Sequence, residues 1–191
     1  MGSKRIGLAR MQALIENLKR ELNLEGTTLK FPVVEPIKNM VVRSATTAHD
    51  LTATSKDLTV VYSGTQAGAI TLPQATADNV GMVIKIMFGA TASTTVFKLG
   101  FADGGSTVLV GRLTLGALDA ANGDENIGFA ITSNAKSLEI DADEPTKAGG
   151  AVGSTYTFTY VAADTVFCEG HGMITTGTPA LAAAASTTTG T

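Results

Sequence analysis

The sequence predicts a mainly β protein, an N-terminal α-helix followed by an antiparallel β-sandwich or jelly-roll-like domain, and three observations carry that prediction. Residues 3–25 place Leu8, Met11, Ile15, Leu18 and Leu22 at alternating spacings of three and four, the a/d pattern of an amphipathic helix. Beyond Gly26, short runs rich in Val and Thr recur between Gly, Asn and Asp punctuation, which suits pleated strands joined by tight turns. Hydrophobic residues make up 44% of the 191, enough to fill one core, while charged residues are only 16%.

Taken in order, the first element is a helix over 1–26, with Ser3 as its N-cap, a Glu16/Arg20 pair at i,i+4 and Gly26 just past its end. At about six turns it is marginal in water without a partner for its apolar side. Leu14 and Leu24 flank the seam, so the apolar stripe is wider than a dimer seam needs and suits a trimer or docking on a β body.

Residues 27–50 contain Pro32 and Pro36 among short apolar runs, and proline confines any strand there to an edge or an extended arm. They read as an extended connector. The β domain is expected over 51–176, with strand-like runs at 58–63, 69–73, 82–88, 94–101, 107–115, 127–133, 137–141, 155–162 and 165–170. In the eighth of these, Tyr156, Phe158 and Tyr160 share one face and Thr155, Thr157 and Thr159 the other. Residues 177–191 are a low-complexity arm without core periodicity, expected to rest on a neighbouring subunit.

Charge is distributed unevenly along the chain. Residues 1–30 hold six Lys/Arg against three Glu, leaving eight basic and fourteen acidic residues beyond. A basic foot and an acidic body suit docking on an acidic surface, although a basic helix is equally served by solvent. The helix carries Lys4, Arg5, Arg10, Lys19 and Arg20 with no aromatic among them, so it offers no base-stacking platform and nucleic acid is not expected as a partner. The single Cys168 excludes an intrachain disulfide. No signal-peptide h-region and no run of 18 apolar residues occurs, so secretion and membrane insertion are not expected and synthesis is placed in a cytoplasm.

Tests for chemistry return little. Cys168 and His171 form a C-x-x-H spacing that can seed a zinc site, but a closed site needs four ligands and His49 is the other histidine, so a buried Cys and a turn His are the better reading. The loops DAANGDEN (119–126) and DADE (141–144) do not match the twelve-residue calcium loop and read as solvated turns. GGAVGST (149–155) lacks the lysine of a phosphate loop and precedes a β run rather than a helix. No catalytic set, metal or cofactor is expected.

Two stretches carry a family resemblance. GSKRIGLARMQALIENLKREL (2–22) resembles the N-terminal segment of virion structural proteins of marine tailed bacteriophages. LTVVYSGTQAGAITLPQATADNVGMVIKIMF (58–88) is similar to the small β-domain of phage fibre and head-appendage proteins, in which a strand, an ITLP run and a Gly-led strand recur in that order. In that type the strand over 155–161 precedes a final W-x-V strand; here TVFCEG (165–170) stands in its place, with Phe167 at the tryptophan position.

The resemblance implies a homotrimeric, non-enzymatic capsid decoration or cement protein, or a short head fibre, on the capsid exterior. Its partners would then be its own copies and the major capsid protein. Leu8, Met11, Ile15, Leu18 and Leu22 would form the oligomerisation or anchor seam, with Lys4, Arg5 and Arg10 as capsid-contacting basic residues. A tail-fibre or adhesin module binding host glycan is the alternative, and it calls for exposed loop aromatics.

Overall fold

The computed structural model of the chain describes residues 39–52, 57–93, 95–102, 105–117, 126–131, 134–144, 147–175 and 177; for Leu24–Glu25, Thr28–Leu29, Asn39 and Thr187–Thr188 it describes the backbone alone. The chain divides into two units, Met1–Ile37 and Lys38–Thr191.

In the first unit, β1 (Leu24–Glu25) pairs antiparallel with β2 (Thr28–Leu29), Leu24 opposite Leu29 and Glu25 opposite Thr28. The expected helix therefore does not run through Leu24 and Glu25, which are extended. Gly26 and Thr27 stand between the paired residues, a spacing that suits a two-residue hairpin as well as a helix stop. The rest of that helix lies outside the described residues.

Among the described residues of the second unit, the regular elements are strands and one 3₁₀ turn at Ala77–Asn79. In chain order its strands are β3 (Asn39–Arg43), β4 (His49–Asp50), β5 (Asp57–Tyr62), β6 (Ile70–Leu72), β7 (Val83–Phe88), β8 (Phe97–Phe101) and β9 (Val108–Ala117), then β10 (Asn126–Ala130), β11 (Ser137–Asp141), β12 (Ala148–Gly149), β13 (Thr155–Ala162), β14 (Thr165–Ile174) and β15 (Thr187–Thr188). All nine runs read from the sequence are strands, and the last continues to Ile174. Residues 39–50 are not a plain connector: they supply two strands, β3 and β4, each at the edge of a sheet.

Seven strands form one sheet in the order β10-β9-β14-β13-β7-β5-β3, and six form the other, β12-β11-β8-β6-β4 with β15 beside β11. The sheets are mixed rather than antiparallel. From β3 to β8 successive strands alternate between the two sheets, so strands two apart run the same way. Thus β3, β5 and β7 pair parallel in one sheet, and β4, β6 and β8 in the other. Antiparallel pairing enters where neighbours stay in one sheet, as in the β13–β14 hairpin, whose turn carries Asp164 at φ 64°. Asp tolerates that left-handed conformation better than most residues. Within the C-terminal arm, Thr187–Thr188 pair with this chain's own β11, and residues 178–186 and 189–191 lie outside the described residues.

One hydrophobic core joins residues of both sheets. Alternation along β13 buries Tyr156, Phe158 and Tyr160 and leaves the three threonines half-buried on the opposite face, as the sequence predicts. Phe88 of β7 stands at the centre: it stacks on Tyr62 at 5.8 Å and meets Phe97 and Tyr156 edge-on, each at 6.3 Å. Phe97 belongs to the six-stranded sheet, so this contact couples the two layers. The buried tyrosines have partners for their hydroxyls: Tyr160 donates to the Pro73 carbonyl at 2.8 Å and Tyr156 to the Gly149 carbonyl.

Candidate assembly surface

At one side of the second unit both sheets end in short strands, β3 in one and β4 in the other. The loop between them is held in place. Buried Gln66 donates through Nε2 to the carbonyls of Thr47 at 2.9 Å and Gly68 at 2.8 Å. The Arg43 guanidinium donates to the Thr47 and Ala48 carbonyls at 3.3 and 3.1 Å, tying the end of β3 to the start of β4.

Strand β3 pairs with β5 along one edge, in the register Val41 opposite Val60. The Arg43 carbonyl accepts from Ser63 N–H at 2.8 Å, so Arg43 turns its backbone groups toward β5. By strand alternation Val41 does the same, while Met40 and Val42 aim N–H and C=O at the open edge. Their side chains are 64% and 60% exposed. Natural edge strands are usually blunted by charge, proline or a bulge. Over Met40–Val42 this one carries no charge or proline, and among the described residues no strand pairs with its outer edge.

Beneath β3 a cleft of about 140 Å³ opens toward β4, lined by Val41, Leu51, Leu58 and Val60 with His49 and Asp50 at its polar side. His49 Nδ1 lies 2.9 Å from the Tyr62 hydroxyl, with the rings edge-on at 6.0 Å. Burial, and then the Arg43 charge, hold the His49 pKa below its ordinary value, against a smaller opposite pull from Asp50. The folded state therefore resists a proton that the unfolded chain takes up near pH 6.5. This contribution to stability is full above about pH 6.5 and is lost as the pH falls below it. Urea midpoints measured near pH 8 and near pH 5 should fall more in the native protein than in His49→Gln. Equal falls would mean that another group carries the acid sensitivity.

The outer face of the seven-stranded sheet is open as well. Strand register aligns Arg112, Glu169, Thr157, Lys85, Thr59 and Met40 in one row, and Thr114, His171, Thr155, Met87, Val61 and Val42 in the next. Arg112 and Glu169 form an ion pair with side chains 73% and 55% exposed, so it contributes little to stability. Phe167 stands on the same face, 36% exposed.

The sequence-derived chemical candidates do not converge. Cys168 and His171 lie in one strand three residues apart, so they point to opposite faces: Cys168 is fully buried and His171 exposed. That removes the C-x-x-H pair as a metal seed, and His171 sits in a strand rather than a turn. Among the described residues no three His, Cys, Asp or Glu side chains gather where a metal ion would bind. Burial, then the Glu169 charge, pushes the Cys168 thiol well above its usual range. A thiol reagent near pH 8 should label the protein only upon unfolding; rapid labelling of the native protein would place Cys168 outside the core.

The acidic loop at 141–144 is not simply solvated. Asp141 is buried and accepts from Asp143 N–H at 3.0 Å, closing an Asx turn, while residues 118–125 lie outside the described residues. In 149–155, Ser154 is buried, donates to the Ala151 carbonyl at 2.7 Å and accepts from Met173 N–H at 2.8 Å. Its hydroxyl thus links the 151–154 turn to β14.

The predicted seam of Leu8, Met11, Ile15, Leu18 and Leu22 and the basic residues Lys4, Arg5 and Arg10 lie outside the described residues. What sequence reasoning missed is the β3 edge and the His49–Tyr62 pair. The run NMVVR (39–43), apolar and free of proline, was the signal that a strand begins after the connector's prolines. No family model, no curated protein and no solved structure matches the chain.

Proposed function

We propose that the protein is a non-enzymatic virion structural protein of a tailed bacteriophage, a capsid decoration or cement protein or a short head fibre, that trimerises and binds the outer capsid surface. The observation that favours it is the exposed apolar edge of β3, Met40–Val42, beside the β3–β4 cleft. A β body with such an edge is suited to burying it against another chain. The two sheets around one core read as a sandwich, a stable block for repetition on a shell. Its copies would associate through the seam of Leu8, Met11, Ile15, Leu18 and Leu22, with Lys4, Arg5 and Arg10 set against an acidic shell protein.

Burial at about 25 cal/mol per Å² of apolar area, repeated over many copies, is enough to brace a shell without any catalytic group. Glycan binding finds less support. Adhesin sites stack sugars on exposed aromatics, and among the described residues Phe167 is the one large aromatic with substantial exposure. Quantitative mass spectrometry of purified virions tests the proposal. Copy numbers that scale with the major capsid protein are expected, whereas a handful per particle would assign the chain to the tail and absence from particles would refute the virion role.

A further inference from the structure

We infer that the His49–Tyr62 hydrogen bond is a proton-operated latch, which holds the edge strand β4 against the body and, when His49 takes up a proton, frees it and bares the β6 edge behind it. The latch does not depend on what surface the protein binds.

The chain has three tyrosines, and all three are buried in strands of the seven-stranded sheet. Each sends its hydroxyl across to the other layer. Tyr156 reaches the Gly149 carbonyl of β12, Tyr160 the Pro73 carbonyl just past β6 at 2.8 Å, and Tyr62 the Nδ1 of His49 in β4 at 2.9 Å. Two of these acceptors are backbone carbonyls, which a change of pH leaves as they are. The third is an imidazole, the side chain that gains a proton between about pH 5 and 8.

The chemistry of the pair fixes which atom donates. A phenol keeps its proton until about pH 10, and burial raises Tyr62 further. Among the described residues its hydroxyl has one polar partner, His49 Nδ1. Tyr62 therefore donates and Nδ1 accepts, which places the proton of neutral His49 on Nε2. A second proton has to enter at Nδ1, and the buried Tyr62 O–H then loses its acceptor. Turning the phenol to accept from Nδ1–H still leaves its own proton without a partner.

Two charged groups act on the ring among the described residues. Arg43, at the end of β3, opposes a second positive charge, and Asp50, beside His49 in β4, favours it to a smaller extent. Strands β5 and β6 bring Tyr62, Ile70 and Thr71 to the site and no charge. Burial adds to the Arg43 effect, so the latched form is favoured above about pH 6.5 and loses ground as the pH falls below it.

The backbone hold on β4 is small. The strand is two residues long and ends its sheet; the His49 amide donates to the Ala69 carbonyl and the Leu51 amide to the Thr71 carbonyl, each at 2.8 Å. The loop ahead of it stays anchored, since Arg43 and Gln66 both hold the Thr47 carbonyl. Residues 49–52 are therefore the part that moves. Their release withdraws Leu51 from the core and uncovers Leu58 and Val60 in the cleft.

Amide exchange resolved by residue in the full-length chain, corrected for the intrinsic rate at each pH, tests the latch. From near pH 8 to near pH 5 the protection of the His49 and Leu51 amides should fall about tenfold, as loss of one hydrogen bond predicts, while the β13–β14 pairing keeps its protection. In His49→Asn the side-chain oxygen takes the place of Nδ1 and does not titrate, so residue 49 and Leu51 should keep their protection at both pH values. In Tyr62→Phe the latch is absent throughout, so protection at His49 and Leu51 should already be low near pH 8 and change little on acidification. No fall at His49 and Leu51, an equal fall across β13–β14, or a full fall that persists in either variant would each overturn the inference.

Discussion

Phe88→Ala is expected to lower the unfolding free energy by about 3–5 kcal/mol, a large share of the ~5–15 kcal/mol that holds a typical domain folded. The expectation rests on position as much as on size. Phe88 is 1% exposed, and its ring touches Tyr62, Tyr156 and Phe97, so its removal leaves a void where the two sheets meet. Surrounding strands are fixed by pairing on both sides and cannot collapse into the space freely. Urea titration followed by circular dichroism measures the change, with the midpoint falling and the slope unchanged. A loss below about 1 kcal/mol would mean that the layers do not share this ring as a common contact.

Gly111→Ala is expected to cost about 3 kcal/mol or more, from backbone strain and a displaced strand together. Gly111 sits in β9 with φ at +136°, a conformation nearly confined to glycine, and a Cβ there would overlap the Cys168 carbonyl oxygen of β14. Its neighbour is backbone and has no rotamer to yield. The β9–β14 pairing runs unbroken from Val108 opposite Thr165 to Ala117 opposite Ile174, so the clash falls within the longest parallel join. Gly81→Ala supplies the contrast. Its φ of +89° is also strained for alanine, but no atom lies within 4 Å of the added Cβ, so a smaller loss of about 1 kcal/mol is expected. Equal losses at the two positions would show that strain alone, and not the approach of β14, sets the cost at Gly111.

Much of the β body was legible because local pattern decides it. In Thr155–Ala162 a strict alternation of aromatic and threonine gives the strand, its bounds and its buried face at once. Pairing partners were less legible, since direction depends on where a chain returns rather than on what it contains. Short links between β3 and β8 look like hairpin turns in sequence, yet each carries the chain across to the opposite sheet, and parallel pairs result. The two-residue strands β4, β12 and β15 are too short to carry any periodicity.

The candidate surface was legible in parts that only the fold unites. Proline at 32 and 36 marked an extended arm, and NMVVR marked an apolar run, but the edge position of β3 comes from its pairing with β5. His49 and Tyr62 are thirteen residues apart with no shared motif, and their hydrogen bond follows from the placement of β4 and β5 in different sheets. Spacing misled in one case. The C-x-x-H signature presumes a turn that brings both side chains together, whereas β14 remains extended and separates Cys168 from His171.

The capsid assignment is tested most directly by an image of the intact particle. Even a low-resolution electron-microscopy map of virions containing this chain should show added density on the outer shell, repeated with the shell lattice and carrying threefold symmetry, and that density should be absent from particles lacking the chain. A bare shell in both, with the difference confined to the tail, would contradict the account.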